Sequence, residues 1–251
     1  MARDPRKKAL KCKPRVVYGL HPVQEYLRAQ PDAIAELYVI PSPKTARLVE
    51  EARRAGIPVC YESRSALDTH TQGGTHQGIA VRVRQFSHLS LGDLLKKGAD
   101  CLLVLDEILD PRNLGALLRT AESAGVGGVI LSKRRSAPLS PLVEKAAAGA
   151  IVHLSICRVG NLRQTLAILK QTEYWLVGLS PQAQRSIYDV EMHGKIAFVV
   201  GGEGKGLRPI VQEACDYLVS IPMRGKVASL NVSVAGAVVL YEHLRRKREV
   251  V

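Results

Sequence analysis

The stretch Cys101-Leu-Leu-Val-Leu-Asp106 narrows most what this chain can fold into. Its apolar residues run without alternation, which fits a strand covered on both faces rather than one half open to water. Such a strand belongs to a sheet held between helices, and the chain that follows keeps the matching rhythm. Asp110-Pro-Arg-Asn-Leu-Gly115 is a turn opening a helix in which Leu114, Leu117, Leu118, Ala121 and Ala124 recur at helical spacing, stopped by Gly125 and Gly127. Then come a strand over 129–132, a helix over 141–148, a strand over 151–156, a helix over 162–171 and a strand over 175–179. After a polar excursion, a strand over 196–200, a helix over 207–214, a strand over 217–221 and a final helix complete the pattern. The expected fold class is α/β, with a mostly parallel sheet and helices on both faces. Ligands of such sheets bind beyond the carboxyl ends of the strands.

Upstream, residues 16–84 alternate on a smaller scale: a helix over 21–29, a strand over 36–40, a helix over 44–55 and a strand over 58–61. The stretch closes with Gly78-Ile-Ala-Val-Arg-Val-Arg84, whose alternation sets Ile79, Val81 and Val83 against Arg82 and Arg84. This reads as a smaller α/β domain over 16–84, joined by a polar linker over 85–99, with one short helix, to a domain over 100–251. Just before its last strand, Gly73-Gly-Thr-His76-Gln77-Gly78 is either a donor-rich loop able to grip a nucleic-acid backbone or a tight turn that needs glycine. Residues 1–15 carry seven Lys or Arg against one Asp, which predicts a flexible arm that either touches RNA phosphate or only solubilises the chain. A net charge of +13 makes a polyanion the expected partner, nucleic acid before an acidic membrane surface. No run has the length of a membrane span or the apolar core of a signal peptide, so a cytoplasmic protein is expected. The five cysteines are scattered without a CxxC pair and read as reduced, mostly buried thiols.

Polar residues that a core does not need gather in loops that leave strand ends: 110–119, Gly201-Gly-Glu-Gly-Lys-Gly206, and 221–231. The middle loop matches neither GxGxxG nor the P-loop pattern, which disfavours a nucleoside triphosphate and a nicotinamide cofactor. GxSxG and HExxH are absent and the histidines lack metal-ligand spacing, so no metal site is expected. What remains is Asn113, Arg119, Glu203, Ser229 and Asn231: one fixed cation, one carboxylate and several neutral hydrogen-bonders. Such a set can orient a polyanion and a hydroxyl for group transfer from an already activated donor. Past the third loop, Val234, Ala235, Val238, Val239 and Tyr241 leave the last helix almost no polar face, which predicts burial.

The three loops resemble the ordered motifs of the SpoU (TrmH) family of RNA ribose 2′-O-methyltransferases. Tyr18-Gly-Leu-His-Pro-Val23 and His76-Gln-Gly78 are similar to the L30e-like, ribosomal-protein-like RNA-binding domain of those members that methylate a guanosine ribose in 23S rRNA. Gly202, where Ala is usual, and Ala147-Ala-Gly149 depart from the pattern away from the expected chemistry. The resemblance implies a trefoil-knotted (SPOUT) parallel-sheet domain, S-adenosylmethionine bound in the knot, and a homodimer. It also implies that Gly201, Ile221 and Leu230 meet the cofactor, that Asn113, Arg119, Glu203, Ser229 and Asn231 form the reacting centre, and that His76, Gln77, Arg82 and Arg84 face RNA. For Arg119 the family picture is a general base. A guanidinium keeps its proton under ordinary conditions, so that role needs strong local help, whereas binding phosphate and steadying the forming alkoxide does not. Two alternatives are the same transfer to tRNA and a non-catalytic ribosome-assembly RNA-binding protein; the first domain disfavours the former, the intact motifs the latter.

Overall fold

The computed structural model describes residues 15–84 and 88–249, and the chain divides into two units between Ser87 and His88. The basic arm expected over 1–15 lies, save Arg15, outside the described residues. In the first unit β1 (Arg15–Tyr18), α1 (Leu20–Ala29), β2 (Ile34–Val39), α2 (Pro43–Arg54), β3 (Val59–Tyr61), α3 (Arg64–Thr71) and β4 (Ile79–Val83) follow in order. The strands stand β1-β4-β2-β3, with β4 antiparallel to both neighbours and β3 parallel to β2. Val17 and Leu37 both lie opposite Val81 and all three are fully buried, each such side chain contributing about 2 kcal/mol of burial. The alternation in β4 is less strict than the sequence implies. Ala80 is buried too, because α3, which the apolar pattern did not announce, lays Leu67 over Tyr18, Tyr38 and Ala80.

The second unit opens with α4 (Leu91–Lys96), whose Leu94 is fully buried in its core. Most of the expected linker is therefore part of this unit. Its remaining elements are β5 (Cys101–Asp106), α5 (Pro111–Ser123), β6 (Gly128–Ser132), α6 (Pro141–Ala146), β7 (Ile156–Val159), α7 (Leu162–Gln171), β8 (Tyr174–Leu179), β9 (Arg185–Ser186), β10 (Lys195–Gly201), α8 (Pro209–Gln212), β11 (Tyr217–Ser220) and α9 (Val232–Glu249). All neighbouring pairs are parallel, in the order β7-β6-β5-β10-β8-β11-β9. Every residue of β5 is buried, as a central strand of such a sheet requires.

Two expectations are corrected. Residues 151–156 are not a strand: Ala148 and Gly149 both have positive φ (51° and 93°) and turn the chain into a 3-10 turn, Ala150–His153. That turn buries Ile151 as a plug, and the strand starts only at Ile156, which pairs with Val129. Nor is the last helix buried all round. Val232, Val239 and Leu240 face inward and Gly236 lies against Leu117, but Val234 and Tyr241 are 48% and 49% exposed. Lower down, Glu242 pairs with Arg245 and Arg246, and Arg246 also donates to the carbonyls of Ile187, Tyr188 and Val190. The four described cysteines are free thiols. No helix among the described residues is long and apolar enough to cross a membrane.

Candidate active site

Three loops meet at the carboxyl edge of the larger sheet. After β5, Asp110 caps α5 by accepting from the Arg112 amide at 2.8 Å, with Pro111 at the first helical position, which places Asn113 on the opening turn. β10 ends at Gly201, where a Cβ would lie 2.1 Å from the Gly206 carbonyl carbon; the loop folds back on itself and the Gly206 amide donates to the Gly202 carbonyl at 3.1 Å. Gly204 and Gly206 hold φ of 80° and 63°, a region that other residues enter only with strain. After β11 the third loop runs to Asn231, whose Oδ1 accepts from the Ser233 amide (2.9 Å) and the Ser233 hydroxyl (2.6 Å) at the start of α9.

The side chains of the three loops bond to one another. Asn113 Nδ2 donates to Glu203 Oε1, and Asn231 Nδ2 donates to Asn113 Oδ1 at 3.1 Å. Both amides are thereby oriented, and the Glu203 carboxylate is held at the mouth of a cleft of about 500 Å³. That volume lies within the usual range for a small-molecule site. Gly201, Glu203, Ile221, Ser229, Leu230 and Asn231 all line it, with Val200 and Val219 adding apolar wall. Arg119 stands apart: it is exposed on α5, is not among the lining residues, and makes no hydrogen bond or ion pair with the described residues.

In the first unit, His76 is buried rather than displayed. Its Nδ1 accepts from the Gly78 amide (3.0 Å), so Nε2 carries the proton and donates to Asp68 (3.1 Å). This corrects its expected place on an RNA-facing surface: the ring clasps the turn into β4. Arg82 binds Glu36 at 2.6 Å, while Gln77 and Arg84 are exposed, Gln77 accepting weakly from the Leu20 amide at 3.3 Å.

Sequence reasoning passed over Ser180 and Gln182, which line the cleft beyond the end of β8 and bond to each other at 3.1 Å. The available signal was their position, polar residues directly after an apolar strand. It also passed over Arg208. That guanidinium forks onto the fully buried Asp106 at 2.6 to 3.1 Å, and its backbone amide reaches the same carboxylate, so the end of β5 is pinned to the chain that leaves the glycine loop.

The profile of the SpoU rRNA Methylase family matches residues 100–241, and that for RNA 2′-O ribose methyltransferase substrate binding matches residues 16–89. The chain is 41% identical over 239 residues to the 23S rRNA (guanosine-2′-O-)-methyltransferase RlmB of Yersinia pestis, spanning 92% of this chain and 97% of that one. It is 39% identical over 239 residues to RlmB of Escherichia coli K12, spanning 92% and 98%. Among solved structures, the SpoU methyltransferase AviRb of Streptomyces viridochromogenes in complex with AdoMet has the same fold, with a TM-score of 0.80 at 22% identity over 99% of this chain and 95% of that one.

Proposed function

The chain belongs to the SpoU rRNA methylase family, and from that premise we propose that it transfers a methyl group from S-adenosylmethionine to the 2′-hydroxyl of a guanosine ribose in 23S rRNA. The observation that carries this reading is the Glu203–Asn113–Asn231 chain of hydrogen bonds at the mouth of the cleft. It ties together the three loops on which the reaction depends.

The cleft fits the cofactor. Its walls combine apolar surface from Val200, Val219, Ile221 and Leu230 with the exposed polar backbone of a glycine loop, as a ligand with both a flat heterocycle and a charged tail requires. When bound, S-adenosylmethionine supplies a methyl group made electrophilic by the positive sulfur. Gly201, Ile221 and Leu230 are assigned to hold it, and Ser229 and Asn231 to orient the ribose. Glu203, fixed by Asn113, sits where a carboxylate can accept from a hydroxyl. Arg119 has no acidic partner among the described residues, which leaves its fork available to an RNA phosphate and to the alkoxide that forms as the 2′-hydroxyl loses its proton.

The reading includes a homodimer. Val234, Val238 and Tyr241 repeat at helical spacing along the outer side of α9, an apolar stripe of the kind a second copy covers. Tyr241→Glu is expected to shift sedimentation from dimer to monomer; an unchanged dimer would place the interface elsewhere. It also includes the trefoil knot, for which the support is the return of the chain from β11, beyond β8 and β10, to Asn113 at the start of α5. An enzyme of 23S rRNA works where ribosomes are built, which places it in the cytoplasm. Gln77, Arg84 and Arg82 are assigned to the RNA-facing side of the first unit.

The test is transfer from labelled S-adenosylmethionine to 23S rRNA transcript fragments, with the product mapped by resistance of one phosphodiester to alkaline cleavage. Resistance at a single guanosine, lost in Arg119→Ala, is the expected result. Cofactor binding without transfer to any fragment would move the substrate to a pre-ribosomal particle, and no cofactor binding at all would favour a non-catalytic assembly factor.

A further inference from the structure

A second concavity occupies the other half of the same sheet edge. It measures about 440 Å³; Arg134, Arg135, Arg163 and Arg208 line it together with Ser132 and Asn161, and Leu162 and Ile210 add apolar wall. Arg134 and Arg135 follow the carboxyl end of β6, Arg163 stands just beyond β7, and Arg208 follows the glycine loop. In the sheet β6 lies two strands from β10, which is about 10 Å at the usual strand spacing. The cavity therefore runs alongside the cleft in which methyl transfer is proposed.

Its charge is unbalanced. Arg208 forks onto Asp106 and reaches Glu107 at 3.5 Å, and Arg135 holds Glu107 at 2.7 Å. Arg134 and Arg163 are exposed and make no hydrogen bond or ion pair with the described residues. Four guanidinium groups thus converge with two bonded carboxylates among them, and Asp106 is wholly buried beneath Arg208. The excess positive charge faces the cavity. Arg135 and Arg208 have work within the fold, since they fix the turn after β5; nothing in the packing calls for Arg134 and Arg163. Glu107 joins this cavity to the cleft. It holds φ of 60°, its carboxylate sits between Arg135 and Arg208, and its carbonyl oxygen would be 2.2 Å from a Cβ on Gly202 in the glycine loop.

We propose that the arginine cavity formed by Arg134, Arg135, Arg163 and Arg208 grips backbone phosphates of the RNA next to the ribose that enters the cleft. The proposal rests on the reading of the chain as an RNA methyltransferase and adds where the strand is held. Guanidinium forks match phosphate oxygens in pairs, and the lining residues include no aromatic side chain on which a base could stack, so the concavity suits a phosphodiester better than a base. Such contacts set register and affinity without reading sequence.

The experiment measures binding of 23S rRNA transcript fragments across a salt series, together with labelled methyl transfer, for the intact chain and two double variants. The first is Arg134→Ala with Arg163→Ala. The second removes equal charge elsewhere, Lys96→Ala with Lys195→Ala. Loss of two phosphate contacts is expected to weaken binding roughly tenfold and to flatten the log–log salt slope by about 1.4 to 1.8, with a smaller change in the lysine variant. The first variant should also raise the KM for RNA while cofactor affinity by calorimetry stays the same. Unchanged affinity and slope in the arginine variant, or an equal loss in the lysine variant, would overturn the proposal even if methyl transfer is normal. The expected binding losses without transfer to any fragment would leave the cavity standing and sink the transfer reading. An intact chain that binds no RNA would remove both.

Discussion

Asn113 donates to Glu203, 90 residues further on, and accepts from Asn231, 118 residues further on. One amide thus sets the geometry of two other loops, and both of its functions need the carboxamide. Asn113→Ala is expected to lower single-turnover methyl transfer by about 10²-fold, the scale of a small misplacement of reacting groups, with cofactor affinity changed far less. Asn113→Asp should be worse than Ala, because it sets a second carboxylate against Glu203. A variant with near-normal transfer would show that the bond is incidental. At this scale part of the cleft was legible in the chain: Glu203, Ser229 and Asn231 are polar positions in loops off strand ends, Gly201, Ile221 and Leu230 came with the family resemblance, and all six line one cavity. Arg208 was not, because its partner Asp106 is 102 residues away and reads as the last residue of a buried strand. His76 was misplaced because a histidine in a glycine-rich turn looks the same in sequence whether it faces solvent or clasps the turn.

The last helix shows what an element's pattern does and does not encode. Its apolar content marked it as packed, but the division between the side against α5 and the exposed stripe of Val234 and Tyr241 depends on neighbours that no local window contains. The same helix buries His243, edge-on to Phe198. Burial pushes its imidazole down to about 4, with Lys247 and Arg246 acting in the same direction and Asp100 opposing. An unfolded chain takes up that proton near pH 6.5 and the folded one does not. Stability from this source is therefore complete above pH 6.5 and is lost as pH falls toward 4, about 3 kcal/mol over the window. Neighbouring Glu242 behaves differently: Arg245 and Arg246 hold its carboxyl down to about 2, so its contribution is whole above the ordinary carboxylate value of 4.5 and is lost as pH falls from there toward 2. Urea unfolding at pH 4.5 and 7 should give a clear gap for the intact chain and a smaller one for His243→Gln. Equal gaps would assign the acid sensitivity to other groups. The false strand over 151–156 has a similar origin, since a short apolar run reads alike as a strand or as a plug and only the left-handed turn at Ala148 and Gly149 separates them.

Across the whole molecule, two units with separate cores predict two unfolding transitions rather than one. S-adenosylmethionine at a hundred times its dissociation constant should stabilise the second unit by about 2.7 kcal/mol and leave the first where it was. Scanning calorimetry with and without the cofactor reads this directly; a single transition moving as a block would mean the two units unfold together. A parallel sheet between helices was readable from the alternation of buried strands and helices, whereas the order β7-β6-β5-β10-β8-β11-β9 was not, because periodicity tells which face is covered and never which strand is the neighbour. The span from Asn113 to Asn231 also has a meaning in time. A ribosome adding about 5–20 residues each second needs roughly 6–24 s to make the intervening chain. Throughout that interval the unit matched to RNA substrate binding has already been synthesised and the cleft is still missing Asn231. Each newly made molecule therefore passes through a stage at which the unit matched to RNA substrate binding is complete and the cleft still lacks its third loop.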